Sequence, residues 1–533
     1  MCGIIGLIGQ FKHKQENLEQ ACQRLQRRGP DSQGVWLSPQ QEVGFAHVRL
    51  AIQDLSEHGH QPMLSVDQRY VLVFNGEIYN HYELRTALAE QAPPWRGHSD
   101  TETLLACFVA WGVEQTLKQA VGMFAIALWD QQERCLTLAR DRFGEKPLYY
   151  SQQAQGLMFA SELKALMPMP EFDRTINRGA LALLMRHNYI PAPYTIFERV
   201  YKLPPASFIQ LSAEHLFAGH EWPEPQAYWS AYAVAKHSSD RVFTDDNKAI
   251  EAFESVLSQA VKGQMLADVK LGAFLSGGTD SSLIVAMMQK QSGQAVKTFS
   301  IGFHQQEYNE AEYAKAVAKH LGTDHTELYM DGQDALTVFQ NLPQVYCEPF
   351  ADSSQLPVLL MMGLTAQHVK VALSGDAGDE LFGGYKRYAR AQAWWDRCQK
   401  IPRPLRHIAA NAASLLAQQT AVGSRQEKLL QLSQILSAKD TVQFYHPFVS
   451  YWKQAEELVI QADRLPTCFD GKPLRNLQET MMILDTLSYL PDDILVKVDR
   501  AAMYHSLETR VPLLDHRVFE FVWDIHPRYK HRD

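Results

Sequence analysis

The chain has 533 residues, of which 46% are hydrophobic and 21% charged, and this ordinary globular composition excludes wholesale disorder. Its 51 Lys and Arg residues against 60 Asp and Glu residues give a net charge of −9, which argues against a chain-wide nucleic-acid surface. No segment reaches the ~18 uninterrupted apolar residues of a membrane span, so we expect neither nucleic acid nor a membrane as a partner.

From Cys2 to about Leu211 the sequence alternates short apolar runs with turn residues, and few helical stretches intervene. This texture predicts packed antiparallel sheets flanked by helices. The helices include Asn17–Arg27 and Thr101–Trp111. The predicted strands are Gly3–Ile8, Gly44–Val48, Tyr70–Phe74, Met123–Trp129, Cys135–Ala139, Leu148–Tyr150 and Leu157–Ala160.

A stretch of poor periodicity, roughly Ala218–Asn247, is interpreted as an interdomain connection. After it the pattern changes to alternating strands and helices, which predicts a parallel, doubly wound sheet. Beyond about Tyr385 the pattern is largely helical. The predicted elements are the strands Val269–Leu275, Val296–Phe303, His325–Tyr329 and Val369–Leu373 and the helices Ser281–Gln289 and Glu310–Leu321.

The seven cysteines are scattered without CxxC pairs, and their odd number suggests no disulfide framework. The first residues lack the basic and apolar regions of a signal peptide. We therefore expect a cytoplasmic protein with reduced thiols.

Cys2 follows the initiator methionine, and a small second residue permits removal of that methionine. The thiol would then lie beside a free α-amine, which has a pKa near ~7.7 and can act as its general base. The alternative interpretation is a small apolar residue at the start of a strand.

Five motifs follow Cys2 in order: RRGPD at 27–31, HVRLAI at 47–52, NGEIYN at 75–80, SDTE at 99–102 and RDRFG at 140–144. Together they resemble class II glutamine amidotransferase domains, whose N-terminal cysteine hydrolyses glutamine. The resemblance implies an αββα N-terminal nucleophile (Ntn) hydrolase sandwich, which we place at residues 2–215.

By the same resemblance, the side chain of Asn75 and the backbone N–H of Gly76 form the oxyanion hole. Arg49 suits the carboxylate of glutamine and Asp100 its ammonium. Taken alone, Asn75-Gly76 would be a hairpin turn and Arg49 a surface charge. The other residues expected to line the glutamine pocket are Leu50, Ala51, Ile52, Gln53 and Glu77.

The segment SGGTDSS at 276–282 lies between a predicted strand and a predicted helix. Its glycines, backbone N–H groups and hydroxyls make an anion cradle. Asp280 in such a site requires a cation, which suggests Mg²⁺. The segment resembles the pyrophosphate-binding loop of N-type ATP pyrophosphatases, so we expect ATP to contact Ser276, Gly277, Gly278, Asp280, Ser281 and Ser282.

A second glycine-rich, acidic loop, SGDAGDELFGGY at 374–385, also follows an apolar strand. At the carboxyl edge of a parallel sheet it would meet a ligand; the alternative is solvated surface. With FSIGF at 299–303, both loops resemble the synthetase domain of glutamine-hydrolysing asparagine synthetases, and we place this domain at 248–533 after a linker at 216–247. The resemblance implies that Leu275, Ile301, Ser374 and Gly375 contact AMP, that Asp280 and Asp379 bind Mg²⁺, and that Asp376 serves acyl-adenylate formation.

Two further segments, DDILVKVDR at 492–500 and LETRVPLLD at 507–515, match the same family. A basic residue there should stabilise charge on pyrophosphate or on the amidation intermediate. Lys497 and Arg500 both fit, and for each the alternative is a salt bridge on a helix face. The chain ends soon after this motif, where relatives continue with more helices, so we interpret the C-terminal end as shortened or as lacking a lid segment.

These features predict a two-domain glutamine-dependent amidotransferase that adenylates a carboxylate with Mg-ATP and passes ammonia internally to displace AMP. Aspartate is the favoured acceptor, with asparagine as the product. The segment Tyr346–Ser354 departs from the Thr-Tyr-Asp type, which leaves open another carboxylate such as a sugar acid. A glutaminase or binding module without synthesis is a third alternative. The expected partners are small molecules, and a homodimer is left open.

Overall fold

The computed structural model describes residues 1–217, 220–303, 311–421 and 423–530. Two antiparallel six-stranded sheets are followed along the chain by one parallel five-stranded sheet, which confirms the predicted mixed α/β architecture with two domains. In spatial order the first sheet contains Val200–Lys202, Tyr149–Gln153, Gly156–Ala160, Gly3–Gly9, Val43–Arg49 and Ser32–Leu37. The second contains Gln226–Ala227, Ser207–Leu211, Cys135–Arg140, Gly122–Asp130, Tyr70–Ile78 and Met63–Leu64.

The two antiparallel sheets lie face to face, and helices cover their outer faces. In the strand Gly3–Gly9, Ile4 and Ile8 point into the core between the sheets, whereas Ile5 and Leu7 join the cluster beneath the first helix. This alternation follows the two-residue period of a strand, and here both faces are buried. The helices of this half are Lys14–Leu25, His81–Leu88, Asp100–Trp111, Val113–Gln119, Arg178–His187 and Ala213–Phe217.

The parallel sheet has its topological switch point between Leu271–Phe274 and Val371–Leu373. The strands that follow Leu271–Phe274 in sequence, Lys297–Phe303 and Asp324–Met330, are added on one side of it. The chain then returns, and Val371–Leu373 and Glu508–Arg510 are added on the other side. Ligands of open α/β sheets bind at such a crevice, outside the carboxyl ends of the strands. The spatial order is Asp324–Met330, Lys297–Phe303, Leu271–Phe274, Val371–Leu373 and Glu508–Arg510.

Helices cover both faces of the parallel sheet and continue to the C-terminal region. The strand Gln226–Ala227 and the helix Ala231–Lys236 lie within the segment interpreted as the linker, and residues 218–219 of that segment lie outside the described residues. Glu310, at the start of a predicted helix, and residues 531–533 also lie outside the described residues. The longer helices are Asp246–Gln264, Thr279–Gln291, Ala311–Leu321, Gly332–Phe339, Gln355–Ala366, Lys386–Gln399, Arg403–Gln418, Ser424–Ser437, Leu477–Leu487, Leu495–Tyr504 and His516–Asp524.

Within the described parts of the chain, no helix is long and apolar enough to cross a membrane.

Candidate functional site

The first candidate site surrounds Cys2 at the start of a central strand. Cys2 is buried, and its backbone N–H donates a hydrogen bond of 2.9 Å to Oδ1 of Asn75, in the strand Tyr70–Ile78 of the facing sheet. Asn75-Gly76 therefore lies inside a strand rather than in a hairpin turn. The packing of the two sheets brings the N-terminal thiol and this amide together.

The other end of the Asn75 amide is available for a ligand. Because Oδ1 accepts from Cys2, the Nδ2 amino group points elsewhere, and it is buried without a hydrogen-bond partner. An unsatisfied buried donor costs about 1–3 kcal/mol. At Gly76, a Cβ atom would lie 2.0 Å from the carbonyl oxygen of Met123, so only glycine fits beside this donor. The arrangement is suited to an oxyanion.

Buried acidic groups surround the thiol. Burial raises the pKa of the Cys2 thiol, so the neutral form is favoured in this structure. Burial also raises the pKa of Asp100 to about 6, and Asp100 accepts a 2.8 Å hydrogen bond from the backbone of Ile78. Burial, followed by the charge of Glu508, raises the pKa of Glu77 well above its usual range. Asp100 is thus mostly ionised at neutral pH and can hold an ammonium group.

Arg49 organises the loop that follows it. Its guanidinium donates to the backbone carbonyl of Ser56 at 2.8 Å and also to the carbonyl of Asp54. The segment Leu50–Gln53 in between borders the thiol, since Leu50 contributes a carbonyl 4.0 Å from the Cys2 sulfur. Gln53 bonds the carboxyl group of Glu77. Four of the residues proposed from sequence for the glutamine pocket, Arg49, Leu50, Gln53 and Glu77, are therefore connected to the surroundings of Cys2.

The second candidate site lies at the switch point of the parallel sheet. A Cβ on Gly375 would lie 2.6 Å from the backbone nitrogen of Ser281, and one on Gly378 would lie 2.3 Å from the carboxyl carbon of Asp280. The two glycine-rich loops, about a hundred residues apart in sequence, are thus packed directly on each other. Together they border a cavity of about 390 Å³.

Eleven residues singled out from the sequence line this cavity: Leu275, Ser276, Gly278, Asp280, Ser281, Ile301, Ser374, Gly375, Asp376, Asp379 and Lys497. Apolar side chains form another part of the wall, namely Phe274, Val358, Met361, Met362, Ile494 and Val498. Of the predicted residues, Gly277 and Ser282 do not line the cavity. A wall with an apolar part and a polar, glycine-rich part fits a base and a phosphate chain.

Carboxylates crowd one side of the cavity. Burial first, and then the charges of Asp379 and Asp376, raise the pKa of Asp280. Burial likewise raises the pKa of Asp379. The described residues contain no group of three or more His, Cys, Asp or Glu side chains close enough to hold a metal ion. A pair of carboxylates is, however, what Mg²⁺ uses when phosphates and water supply its other ligands.

Arg500 lies in an ion cluster between the two domains and does not line the cavity at the switch point. The buried guanidinium of Arg28 bonds Glu162 at 2.7 Å in its own domain and Asp499 at 2.8 and 3.1 Å in the other. Arg500 bonds the same Asp499 at 2.5 Å and the hydroxyl of Tyr149 at 3.1 Å. The two domains are joined here by buried charges.

Sequence reasoning assigned no role to two residues from the parallel-sheet domain that reach the Cys2 site. Glu508 is fully buried, and its carboxylate lies 2.7 Å from the N-terminal ammonium group of Met1. Arg510 lies 3.7 Å from Glu77 and 2.7 Å from Glu508. The only signal was the motif at 507–515, which marked the segment but gave no contact.

A larger cavity, of about 690 Å³, lies between the helix Arg178–His187 and the C-terminal helices. None of the residues proposed for catalysis or nucleotide binding lines it. Size alone therefore does not identify the site of chemistry, and the smaller cavity at the switch point carries the candidate residues.

Two family models match successive parts of the chain. The family model for asparagine synthase matches residues 252–533, and the model for the glutamine amidotransferase domain matches residues 1–229. The segment between the two matches overlaps the connection inferred from sequence.

Similar proteins extend over nearly the full chain. Asparagine synthetase [glutamine-hydrolyzing] 1 of Bacillus subtilis is 32% identical over 98% of this chain and 80% of its own length. Putative asparagine synthetase [glutamine-hydrolyzing] 2 of Methanocaldococcus jannaschii is 32% identical over 94% of this chain and 98% of its own length. Amidase chry2 of Gibberella zeae is 27% identical, covering 100% of this chain and 84% of its own.

Proposed function

Because the chain belongs to the asparagine synthase family, we propose that it is a glutamine-dependent asparagine synthetase with two active sites. Glutamine is hydrolysed at Cys2, and a carboxylate is adenylated by ATP in the parallel-sheet domain. Ammonia then displaces AMP to give the amide. The observation that carries the proposal is the packing of two glycine-rich loops around one cavity, in the same chain as the Cys2–Asn75 pair.

At the first site, removal of Met1 frees the α-amine of Cys2, which takes the proton of the thiol. The thiolate attacks the carboxamide of glutamine, and the carbonyl oxygen becomes an oxyanion. Nδ2 of Asn75 and the N–H of Gly76 donate to it. Burial raises the pKa of the thiol, so a base beside it is needed for attack. The helix–sheet–sheet–helix layering supports assignment of residues 2–215 to the Ntn hydrolases.

Charged groups at both ends of the pocket position glutamine. Asp100 takes the ammonium group, and Arg49 takes the carboxylate through its planar guanidinium. The remaining pocket residues, Leu50 to Gln53 and Glu77, hold the side chain between these ends. The buried Arg510, which is itself paired with Glu508, lies 3.7 Å from Glu77 and attracts it from the other domain.

At the second site, Leu275, Ile301, Ser374 and Gly375 contact the AMP part of ATP, and the loop at 276–282 binds its phosphates. Asp280 and Asp379 would hold Mg²⁺, which neutralises phosphate charge when bound. Asp376 faces the same cavity and orients the reacting carboxylate. The raised pKa of Asp280, caused by burial and by the neighbouring carboxylates, supports a cation there.

Lys497 is the better candidate for the basic residue that stabilises the pyrophosphate or the amidation intermediate. It lines the cavity, whereas Arg500 is engaged with Asp499 and Tyr149 between the domains. We therefore assign Arg500 to the interface, with residues 248–533 as the synthetase domain and 216–247 as the connection.

Aspartate is the proposed acceptor, and another carboxylate is the second candidate. The relative called an amidase and the unusual segment Tyr346–Ser354 favour keeping this alternative. In that segment Glu348 bonds Lys202 of the other domain at 3.1 Å, so only its distal part, including Ser354, reaches the cavity.

The test is a screen of carboxylates, including aspartate and sugar acids, for AMP and pyrophosphate formation with glutamine present. Aspartate should give the highest rate, with one pyrophosphate per amide formed. A higher rate with a sugar acid would change the acceptor but keep the enzyme class. If glutamate forms but no carboxylate gives pyrophosphate, the protein is a glutaminase alone, and the proposed synthesis is refuted.

A further inference from the structure

Two acidic side chains, Asp352 and Asp493, lie beside Lys497 at the cavity, and sequence analysis assigned a role to neither. Of the residues lining the cavity, Lys497 is the one Lys or Arg within the described parts of the chain. It is the third residue of the helix Leu495–Tyr504, which follows directly on a π-helical turn, Leu490–Ile494. Single π turns often occur at functional sites.

Asp352 binds the amine of Lys497 with its Oδ2 atom. Its other oxygen, Oδ1, accepts hydrogen bonds from the backbone nitrogen and the hydroxyl of Ser354, at 2.8 and 2.9 Å. Ser354 itself lines the cavity. One carboxylate therefore fixes two cavity-lining residues, from segments about 140 residues apart in sequence.

Asp493 is the second acid, one turn before Lys497. Its Oδ1 atom lies 3.9 Å from the Lys497 amine and is buried without a hydrogen-bond partner. Burial, and then the charge of Asp352, raises the pKa of Asp493 to about 8. Despite burial, Lys497 lowers the pKa of Asp352 to about 2. At neutral pH Lys497 thus faces one charged carboxylate, Asp352, and one protonated carboxyl group, Asp493, which is hydrogen-bonded to Asp352.

We propose that Asp352 is a positioning residue of the synthetase site, which holds Lys497 at the cavity while Asp493 stays out of competition for the lysine. The proposal deepens the proposed function and rests on it for the role of Lys497 in synthesis. The ammonium group of Lys497 is then already in place when a polyanion enters the cavity, and the lysine side chain does not have to be ordered first. A neutral Asp493 leaves Lys497 with a single charged partner, Asp352.

The first experiment measures pyrophosphate release with ammonia as nitrogen donor, so that the Cys2 site is bypassed. Asp352→Asn should lower kcat at least about tenfold. Combining it with Lys497→Gln should add no further loss, because both changes remove the same interaction. The matched control is Asp324→Asn, which breaks an exposed 2.6 Å pair with Lys297 on the far edge of the sheet and should leave the rate within about twofold.

A second readout does not depend on turnover. Acylation of Lys497 by an amine-reactive acetyl ester, followed by peptide mass spectrometry, should be severalfold faster in Asp352→Asn than in the wild type. If no carboxylate supports pyrophosphate release in the wild type, the proposed function fails while this labelling still decides the positioning. Wild-type labelling and wild-type kcat in Asp352→Asn would overturn the proposal.

The pH profile tests the part played by Asp493. Ionisation of Asp493 above pH 8 creates a second carboxylate that competes for Lys497, so the wild-type rate should fall as pH rises through about 8. In Asp493→Asn the ratio of the rate at pH 9 to that at pH 7 should be higher than in the wild type, and an unchanged ratio would refute this role. The groups facing Asp493 are Asp352, Lys497, Arg387, Tyr189, Tyr346 and Tyr489.

Discussion

The two candidate sites handle charge in opposite ways. Around Cys2, antiparallel sheets bury the polar groups and pair most of them, and Nδ2 of Asn75 is left as a donor for substrate. At the cavity, loops from parallel strands bring together Asp280, Asp376 and Asp379, and the neighbouring carboxylates help to raise the pKa of Asp280. With the proposed function, the first site would take a neutral carboxamide as it stands, whereas the second would be completed by its substrate and by the proposed Mg²⁺.

Loss of the nucleophile should separate the sites most strongly. Cys2→Ala should lower glutamine hydrolysis by ~10⁴-fold or more, because no other nucleophile has an α-amine beside it. Synthesis from free ammonia should stay near the wild-type rate, since its cavity lies in the other domain. The measurement is glutamate formation alongside ammonia-dependent pyrophosphate release. Equal loss of both activities would contradict a division into two sites.

The converse change should remove the second site and spare the first. Asp280→Asn should lower pyrophosphate release by about 100-fold, because a metal-held phosphate oxygen is worth several kcal/mol. Glutamine hydrolysis should continue and release ammonia unproductively. Raising Mg²⁺ should recover part of the rate if the carboxylate binds the ion. A rate equal to that of the wild type at limiting Mg²⁺ would remove Asp280 from the metal site.

A smaller effect tests how the first site captures glutamine. Arg49→Ala should raise the glutamine KM about 10- to 150-fold, since charged hydrogen bonds contribute about 1.5–3 kcal/mol. The structure offers a competing role, because Arg49 also binds the carbonyls of Asp54 and Ser56. Alkylation of Cys2 by iodoacetamide, which has no carboxylate, distinguishes the two roles. An unchanged alkylation rate supports substrate binding, and a changed rate indicates a disordered loop.

The smallest effect is expected where the two domains meet in solvent. Lys370 pairs with Asp31 across the interface at 3.2 Å, and both side chains are partly exposed. Lys370→Ala should change the free energy of unfolding by less than about 1 kcal/mol and leave both activities unchanged. Chemical denaturation and the two rate assays check this. If the ratio of glutamine hydrolysis to pyrophosphate release changed strongly in this variant, this exposed pair would also be needed to align the domains.

The sequence predicted the broad architecture because strand and helix periods are local. The alternation of Gly3–Ile8 and the strand–loop–helix pattern around Ser276–Ser282 each lie within about ten residues. The meeting of the loops after Leu275 and Leu373 followed from one general rule, that parallel strands place their carboxyl ends together. The structure packs Gly375 on Ser281 in agreement with that expectation.

Long-range pairings could not be predicted in the same way. The strand Glu508–Arg510 has three residues, too few to show a period, and its contacts with Met1 and Glu77 join opposite ends of the chain. The bond between Asp352 and Lys497 spans 145 residues. Motif matching could not separate Lys497 from Arg500, because they lie one turn apart and only tertiary packing sends one to the cavity and the other to the interface.

The guanidinium of Arg28, which bonds Glu162 in one domain and Asp499 in the other, limits how this protein can be recombined. A chimera that takes its amidotransferase domain from a relative keeps Asp499, so the incoming domain must supply a basic residue at the position of Arg28. Without it, a buried carboxylate loses a partner, and removing one partner of a buried pair typically costs about 3–5 kcal/mol. Where the relative has no basic residue at that position, the helix Leu495–Tyr504 should be exchanged together with the first domain.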